Sequence, residues 1–387
     1  MKIGIVCYPT FGGSGVVATE LGKALASEGH EVHFITYTQP ARLDFISENL
    51  FYHEVPISSY PLFEYPPYEL ALASKMVNVV KYEQLDLLHV HYAIPHASAA
   101  YMAKQILKTQ GIYIPVVTTL HGTDITLVGK DPSYEPVVTF SINESDGVTA
   151  VSENLKQDTY NHFNIKKEIE VIPNFIDLDR FKKQKKEHFK KAIAPHGEKL
   201  LIHTSNFRKV KRIEDVILVF NEVRKKIPSK LLLVGDGPER TAMESLCRQL
   251  GTCDDIRFLG KLDAVEEVLS VCDLFLMPSE KESFGLAALE AMACEVPVIS
   301  SNAGGIPELN IHGKTGLISE IGDIADMVQN ALYILKDENL PVFKKNAIER
   351  AKEFDVTTIR PKYEAFYQKV LEQYKNKNLL PHTNETI

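Results

Sequence analysis

The chain has 387 residues, of which 44% are hydrophobic and 24% charged. That is enough for two domains of ordinary size with sizeable cores, and it excludes a disordered or fibrous protein. The net charge of −8 is uneven: residues 1–172 hold 11 Lys and Arg against 19 Asp and Glu, leaving 32 of each sign in the remainder. An acidic half without a basic stripe argues against nucleic acid and against docking on an anionic membrane.

No run of about 18 uninterrupted apolar residues is present, so no membrane-spanning helix is expected. The opening MKIGIVCYP lacks the long apolar core and small-residue cleavage site of a signal peptide, which gives a cytoplasmic reading. Five cysteines, Cys7, Cys247, Cys253, Cys272 and Cys294, form no CxxC pair. In a cytoplasmic protein they read as reduced, mostly buried thiols.

In chain order, a short apolar run over residues 2–8 precedes a glycine loop and a helix-like stretch from Val16 to Ser27. Strand-like runs follow at 31–37, 86–92, 114–120 and 146–152, with helix-like segments between them. The region 173–198, with Pro173 and a Lys-rich patch at 182–191, reads as a linker. A second series of strand-like runs covers 199–205, 230–236, 255–260, 273–278 and 296–301. Such alternation implies parallel strands joined by helical crossovers, that is, two doubly wound α/β domains. In such sheets ligands lie at the carboxyl ends of the strands, here expected around a shared cleft. The spacing of Ile359, Tyr363, Phe366, Tyr367, Val370 and Leu371 predicts an amphipathic helix over 356–377 that packs on a domain surface. The tail beyond Asn378 is expected to fray.

Five stretches directly after strands carry candidate chemistry. Gly12-Gly13-Ser14-Gly15 opens a helix whose N–H groups and partial positive charge suit an anion such as a diphosphate. Residues 13–18 also fit GxGxxA, but strand two ends Tyr37-Thr38-Gln39 without the acidic residue that holds a dinucleotide ribose. His121-Gly122-Thr123-Asp124 follows the strand PVVTTL; its histidine suits a substrate hydroxyl or proton transfer, and its Thr and Asp equally suit helix capping. His89 and His91 share a strand face near Tyr92 and His96, but no carboxylate or cysteine completes a metal set, and no metal is expected. Tyr92 reads as polar lining of the cleft.

Ser205–Arg212 packs four cations, Arg208, Lys209, Lys211 and Arg212, into five positions. A solvated turn is their ordinary fate, but at a cleft Lys211 or Arg208 would neutralise departing phosphate oxygens. In Glu282-Ser283-Phe284-Gly285-Leu286-Ala287-Ala288-Leu289-Glu290, two carboxylates flank a helix start, where carboxylates accept hydrogen bonds from paired sugar hydroxyls or simply complement the helix dipole. Ser301–Glu308 is a glycine turn that would close the same wall.

Together these stretches, followed by PVISSNAGGIPEL and HGKTGLI, resemble glycosyltransferase family 4, the retaining nucleotide-sugar-dependent enzymes of the GT-B fold. The resemblance runs through nearly the whole chain. It implies an acceptor-binding domain over 1–172, joined by the helix 356–377, and a nucleotide-sugar domain over 173–355. Glu290 would hold the ribose, Glu282 the sugar hydroxyls, the backbone around Phe284, Gly285 and Leu286 the sugar and diphosphate, and Lys211 the phosphates. Gly13, Ser14 and Gly15 would approach the diphosphate, and His121 would stand by the sugar. The family commonly has Arg five residues before that lysine; this chain has Asn206, with Arg208 as a substitute.

More narrowly, the opening GIVCYPTFGGSGVVATELGKALASEGHEVHFITY, with HVHYAIPHA and TTLHGTDITLVG, resembles a branch of the family that starts bacillithiol biosynthesis. That implies UDP-N-acetylglucosamine as donor and L-malate as acceptor; separately, no cofactor is expected. The acceptor would lie near Ser14, Tyr92, Thr118, Thr119 and Thr123, with Lys130 or Arg208 as cations for malate's carboxylates. A homo-oligomer, another acceptor, a UDP-sugar epimerase and a non-catalytic two-lobed binding protein stay open from the residues alone.

Overall fold

A computed structural model of the chain describes residues 1–10, 12–43, 47–57, 65–127, 129 and 131–379. Lys130 lies outside these residues, as does the tail from 380 onward. The chain divides into two compact units, one formed by Met1–Pro173 with Thr357–Ile387, the other by Asn174–Val356.

The first unit is built on seven parallel strands: β1 (Lys2–Val6), β2 (Glu31–Thr36), β3 (Leu50–Glu54), β4 (Leu87–His91), β5 (Val116–Leu120), β6 (Gly147–Ala150) and β7 (Ile169–Val171). Their order is β3-β2-β1-β4-β5-β6-β7. The direction of winding reverses beside β1, which places the first glycine loop at the switch point where doubly wound sheets bind ligands. β4 and β5 are buried along their whole length, as expected of central strands covered by helices on both faces.

The helix Val356–Leu379 belongs to this unit from Thr357 onward. Its stripe Ile359, Tyr363, Phe366, Tyr367 and Val370 is buried. The Tyr367 hydroxyl meets His89 Nδ1 at 2.7 Å, and Phe366 and Val370 occupy the space a side chain at Gly147 would need.

The second unit has six parallel strands: β8 (Lys199–Thr204), β9 (Ser229–Val234), β10 (Ile256–Gly260), β11 (Leu274–Met277), β12 (Val298–Ser301) and β13 (Gly316–Ser319). Their order is β10-β9-β8-β11-β12-β13. Its core gathers Phe207, Phe220, Leu231, Leu233, Leu274 and Ile299.

Two sequence readings need correction. The Lys-rich stretch at 182–191 is not a loose connector. It leads into the helix Glu187–Ile193, and Lys190 pairs at 3.1 Å with Asp273. Asp273 also binds Lys344 at 2.8 Å and the Leu200 N–H at 3.1 Å. Burial alone would raise this carboxyl, yet Lys344 and Lys190 hold it below the ordinary range.

The cysteines are also not all thiols. Cys247, in the last turn of the helix Arg240–Gln249, is joined to Cys253 by a disulfide with the Cα atoms 5.2 Å apart. Cys7, Cys272 and Cys294 are free and buried, and burial raises all three thiols.

Candidate active site

In the first unit, the ends of β1, β4 and β5 bring one polar cluster together. The helix Gly13–Ser27 starts directly after the glycine loop, so its first N–H groups have no partners within the helix. Gly12 and Gly13 are exposed, Ser14 is half-buried and Gly15 is buried. A Cβ at Gly15 would stand 2.4 Å from the Tyr8 carbonyl oxygen and 2.5 Å from that of Thr10, so only glycine fits this approach.

Ser14 Oγ and the Tyr92 hydroxyl are 2.7 Å apart. Tyr92 has φ of 87°, a strained conformation for a non-glycine residue, and its N–H donates to the Thr119 carbonyl at 2.9 Å. Its ring lies 5.4 Å from both Tyr8 and His121.

His121 is 9% exposed, and its Nε2 meets Nδ1 of the buried His91 at 2.8 Å. Burial, followed by the neighbouring His96, pushes His121 down to about 3, so the imidazole is neutral near pH 7. His96 Nδ1 donates to the His91 carbonyl. Asp124 serves the backbone: its carboxylate accepts from Ala93 N–H at 2.8 Å and from Gly122 N–H at 3.1 Å, fixing the two loops that carry Tyr92 and His121. Burial raises Asp124 to about 6, with those backbone donors opposing.

Thr118 and Thr119 point to opposite faces of β5, and both are fully buried. The Thr118 hydroxyl bonds Ser145 Oγ at 2.7 Å; that of Thr119 bonds His89 Nε2 and Thr149 Oγ1, each at 2.7 Å. Both hydroxyls are thus bonded within the unit and shielded from solvent. Thr123 is exposed.

In the second unit, three loops after β8, β11 and β12 form a second cluster. The β8 loop is set by a short chain of bonds. His203 Nδ1 donates to the Leu276 carbonyl at 2.8 Å, its Nε2 meets Ser205 Oγ at 2.8 Å, and that oxygen accepts from Phe207 N–H at 3.3 Å. Asn206 and Arg208 are exposed on this loop, whereas Lys211 is half-buried. Lys211 Nζ lies 2.5 Å from Glu282 Oε2, both side chains being mostly covered.

The Glu282 carbonyl accepts from Gly305 N–H at 3.0 Å, which joins the β11 loop to the glycine turn after β12. Phe284 is buried against Phe354, with ring centroids 5.6 Å apart. Gly285 has φ of 98° and begins the helix Leu286–Ala293. A Cβ there would meet nothing closer than 3.5 Å, so the left-handed backbone, and not space, requires glycine. Glu290 is half-buried one turn into that helix, and Leu286 is half-buried at its start.

The first cluster thus joins Gly13, Ser14, Gly15, Tyr92 and His121, and the second joins Lys211, Glu282, Phe284, Gly285, Leu286 and Glu290. Sequence reasoning missed Tyr8 and the His203–Ser205 pair. A histidine inside the apolar run KLLIHTS was the available signal for the latter. Among the described residues, the one group of three or more side chains able to hold a metal ion, His33, His53 and Glu83, lies in neither cluster.

Residues 11–180 match the family model for glycosyltransferase family 4, and residues 184–354 match that for glycosyl transferases group 1. The chain is 50% identical over 382 residues to the N-acetyl-alpha-D-glucosaminyl L-malate synthase of Bacillus anthracis, covering 97% of this chain and 99% of that protein. It is 28% identical to the alpha-monoglucosyldiacylglycerol synthase of Streptococcus pneumoniae, over 88% of this chain and 80% of that one. In fold it is similar to the Anabaena protein HepE in complex with UDP and glucose, with TM-score 0.80, 20% identity, and coverage of 95% and 99%. No helix among the described residues is long and apolar enough to cross a membrane. With two parallel-sheet Rossmann-like units, family models along most of its length and near-complete alignment to a synthase 50% identical to it, the chain belongs to glycosyltransferase family 4 and is a glycosyltransferase.

Proposed function

We propose that the enzyme moves N-acetylglucosamine from UDP-N-acetylglucosamine to the hydroxyl of L-malate with retention at the anomeric carbon, the opening step of bacillithiol biosynthesis. The observation that carries this reading is the 50% identity spread over 97% of the chain to a synthase of that name. The chemistry of the two clusters supports it.

As the bond between the sugar and the diphosphate breaks, positive charge develops on the sugar ring and negative charge on the leaving UDP. Lys211 and the N–H groups at the start of the helix Leu286–Ala293 suit that negative charge. The lysine then leaves Glu282, and the freed carboxylate accepts hydrogen bonds from sugar hydroxyls; Glu290 does the same for the ribose. The malate hydroxyl attacks the anomeric carbon from the face that UDP leaves, and its proton passes to the departing phosphate oxygen. No carboxylate pair of the glycosidase kind is required.

The N–H groups of Gly13, Ser14 and Gly15, together with the Ser14 and Tyr92 hydroxyls, offer donors for an anionic acceptor in a unit poor in cations. Neutral His121 accepts from or donates to a sugar hydroxyl without adding charge. Lysine and helix start supply the positive charge, so the transfer runs without a metal ion. Both substrates are small metabolites, and we place the enzyme in the cytoplasm.

The test is UDP release from UDP-N-acetylglucosamine across a panel of hydroxy acids, with and without chelator, followed by the mass of the product. Release with L-malate alone, and a product of glycoside mass, is the expected result. Turnover of donor without any acceptor, or with other acids only, overturns the acceptor assignment.

A further inference from the structure

His33 lies in β2, the second strand in from the sheet edge, and is fully buried. His53 lies in β3, the edge strand. In the parallel register His33 stands opposite Phe51, so His53, two residues on, shares its face of the sheet. His33 Nδ1 and His53 Nε2 face each other at 2.9 Å. Glu83, the last residue of the helix Tyr68–Glu83, completes the group: one ligand atom from each of the three residues lies within 4.8 Å of the others.

A second observation fixes which nitrogen of His33 is bare. Its Nε2 lies 3.1 Å from Glu31 Oε1, and Glu31 is kept ionised by Lys2 at 2.9 Å. A carboxylate only accepts, so Nε2 carries the proton and Nδ1 accepts from His53 Nε2–H; for both nitrogens to ligate a metal, His53 moves that proton to its own Nδ1. A carboxylate bonded to the far nitrogen of a histidine is also the usual outer partner of a metal-ligating imidazole. Phe51 stacks on His33 with centroids 4.8 Å apart and holds the ring in place.

We propose that His33 Nδ1, His53 Nε2 and Glu83 form a structural site for a divalent transition metal, Zn²⁺ by its donor set, at the edge of the first sheet. Two imidazoles and a carboxylate suit a borderline d-block ion, whereas Mg²⁺ and Ca²⁺ take oxygen ligands. Tetrahedral ligands at about 2.0–2.1 Å from zinc stand roughly 3.3 Å apart, so the two nitrogens separate by only a few tenths of an ångström to admit the ion. Water supplies the fourth ligand. The ion pins the edge strand β3 and the end of the helix Tyr68–Glu83 to β2, on a part of the first unit that carries none of the candidate active-site residues.

The test uses the full-length chain without a histidine tag, freed of metal by chelator and dialysis. Calorimetry with Zn²⁺ should give one site per chain, and Co²⁺ should give visible d–d bands of tetrahedral strength. Zn²⁺ should raise the thermal midpoint. His53→Ala should abolish the bands and the rise, Glu83→Gln should weaken Zn²⁺ binding at least tenfold, and Glu31→Gln should weaken it roughly 10–100-fold. Glu83→Gln and Glu31→Gln keep side-chain volume, so a folding defect in His53→Ala leaves the test intact. Absence of Zn²⁺ binding in the wild type overturns the site and leaves a His–His hydrogen bond, as does equal binding in all the variants.

Discussion

Lys211 and Glu282 are 71 positions apart and form one hydrogen-bonded ion pair. On the proposed mechanism the ammonium meets charge that appears on the diphosphate only as the bond breaks. Lys211→Ala should therefore lower turnover by roughly 10²–10³, the scale of losing one such donor. Single-turnover kinetics on protein of unchanged circular dichroism would show it; near-wild-type rates would remove the lysine from this role. Glu290→Ala should weaken UDP by roughly tenfold to a hundredfold, the worth of hydrogen bonds to a charged group. Unchanged UDP affinity in calorimetry would take it out of the ribose site.

At this scale residue types were legible and pairings were not. Lys211 and Glu282 stood out as separate motifs, but their contact follows from β8 and β11 lying side by side in the sheet. Likewise, strand alternation separates Thr118 from Thr119 in the sequence itself. That each hydroxyl is already bonded inside the unit depends on Ser145, His89 and Thr149, which no spacing rule connects to them.

Among the elements, the central strands were readable because strands covered on both faces show unbroken apolar runs. The strands missed were β3, β7 and β13. β3 is an edge strand with no fully buried residue, β7 has three residues, and β13 emerges from a glycine turn. The disulfide was missed because a spacing of six depends on how the helix Arg240–Gln249 ends and turns back.

The same central strands and the loops after them carry histidines that burial keeps neutral. His89 and His121 are pushed down to about 3, His96 and His203 to about 4, and His91 well below its ordinary value. Below the unfolded value of about 6.5 the unfolded chain binds protons that the folded chain refuses, so stability falls on acidification toward pH 4. Asp124, raised to about 6, acts in the opposite direction but is a single group. The thermal midpoint should therefore drop between pH 7 and pH 5, and a flat profile would show these rings to be charged or exposed. Gly15→Ala belongs to this scale too. The added methyl meets two backbone carbonyls that cannot yield, so the helix start must shift, and a lowered thermal midpoint together with weakened acceptor KM should follow.

For the whole molecule, the first unit is assembled from both ends of the chain. The closing helix contributes Tyr363 and Tyr367, among the largest fully buried side chains, and its contacts run inward. The Tyr367 hydroxyl meets His89, which meets Thr119, which meets Thr149, a line of three bonds of 2.7 Å each from the helix to β6. Glu364 meets His30 at 2.9 Å, and Lys369 meets Glu170 at 3.1 Å. Truncation after Asp355 should strip an apolar face and leave His89 Nδ1 without the Tyr367 hydroxyl. Such a chain should bind a hydrophobic dye and lose the cooperative unfolding of the first unit, whereas retained cooperativity would show that unit to be complete without the helix.

That dependence reaches back to the ribosome. A nascent chain ordinarily folds its leading domain first, but here the sheet of the first unit waits for a helix made after the whole of Asn174–Val356. The Asn174–Val356 portion is threaded out and free to fold while the leading strands still lack their final cover. Chaperone demand during synthesis should accordingly fall on Met1–Pro173, until the last turns of Val356–Leu379 leave the exit tunnel.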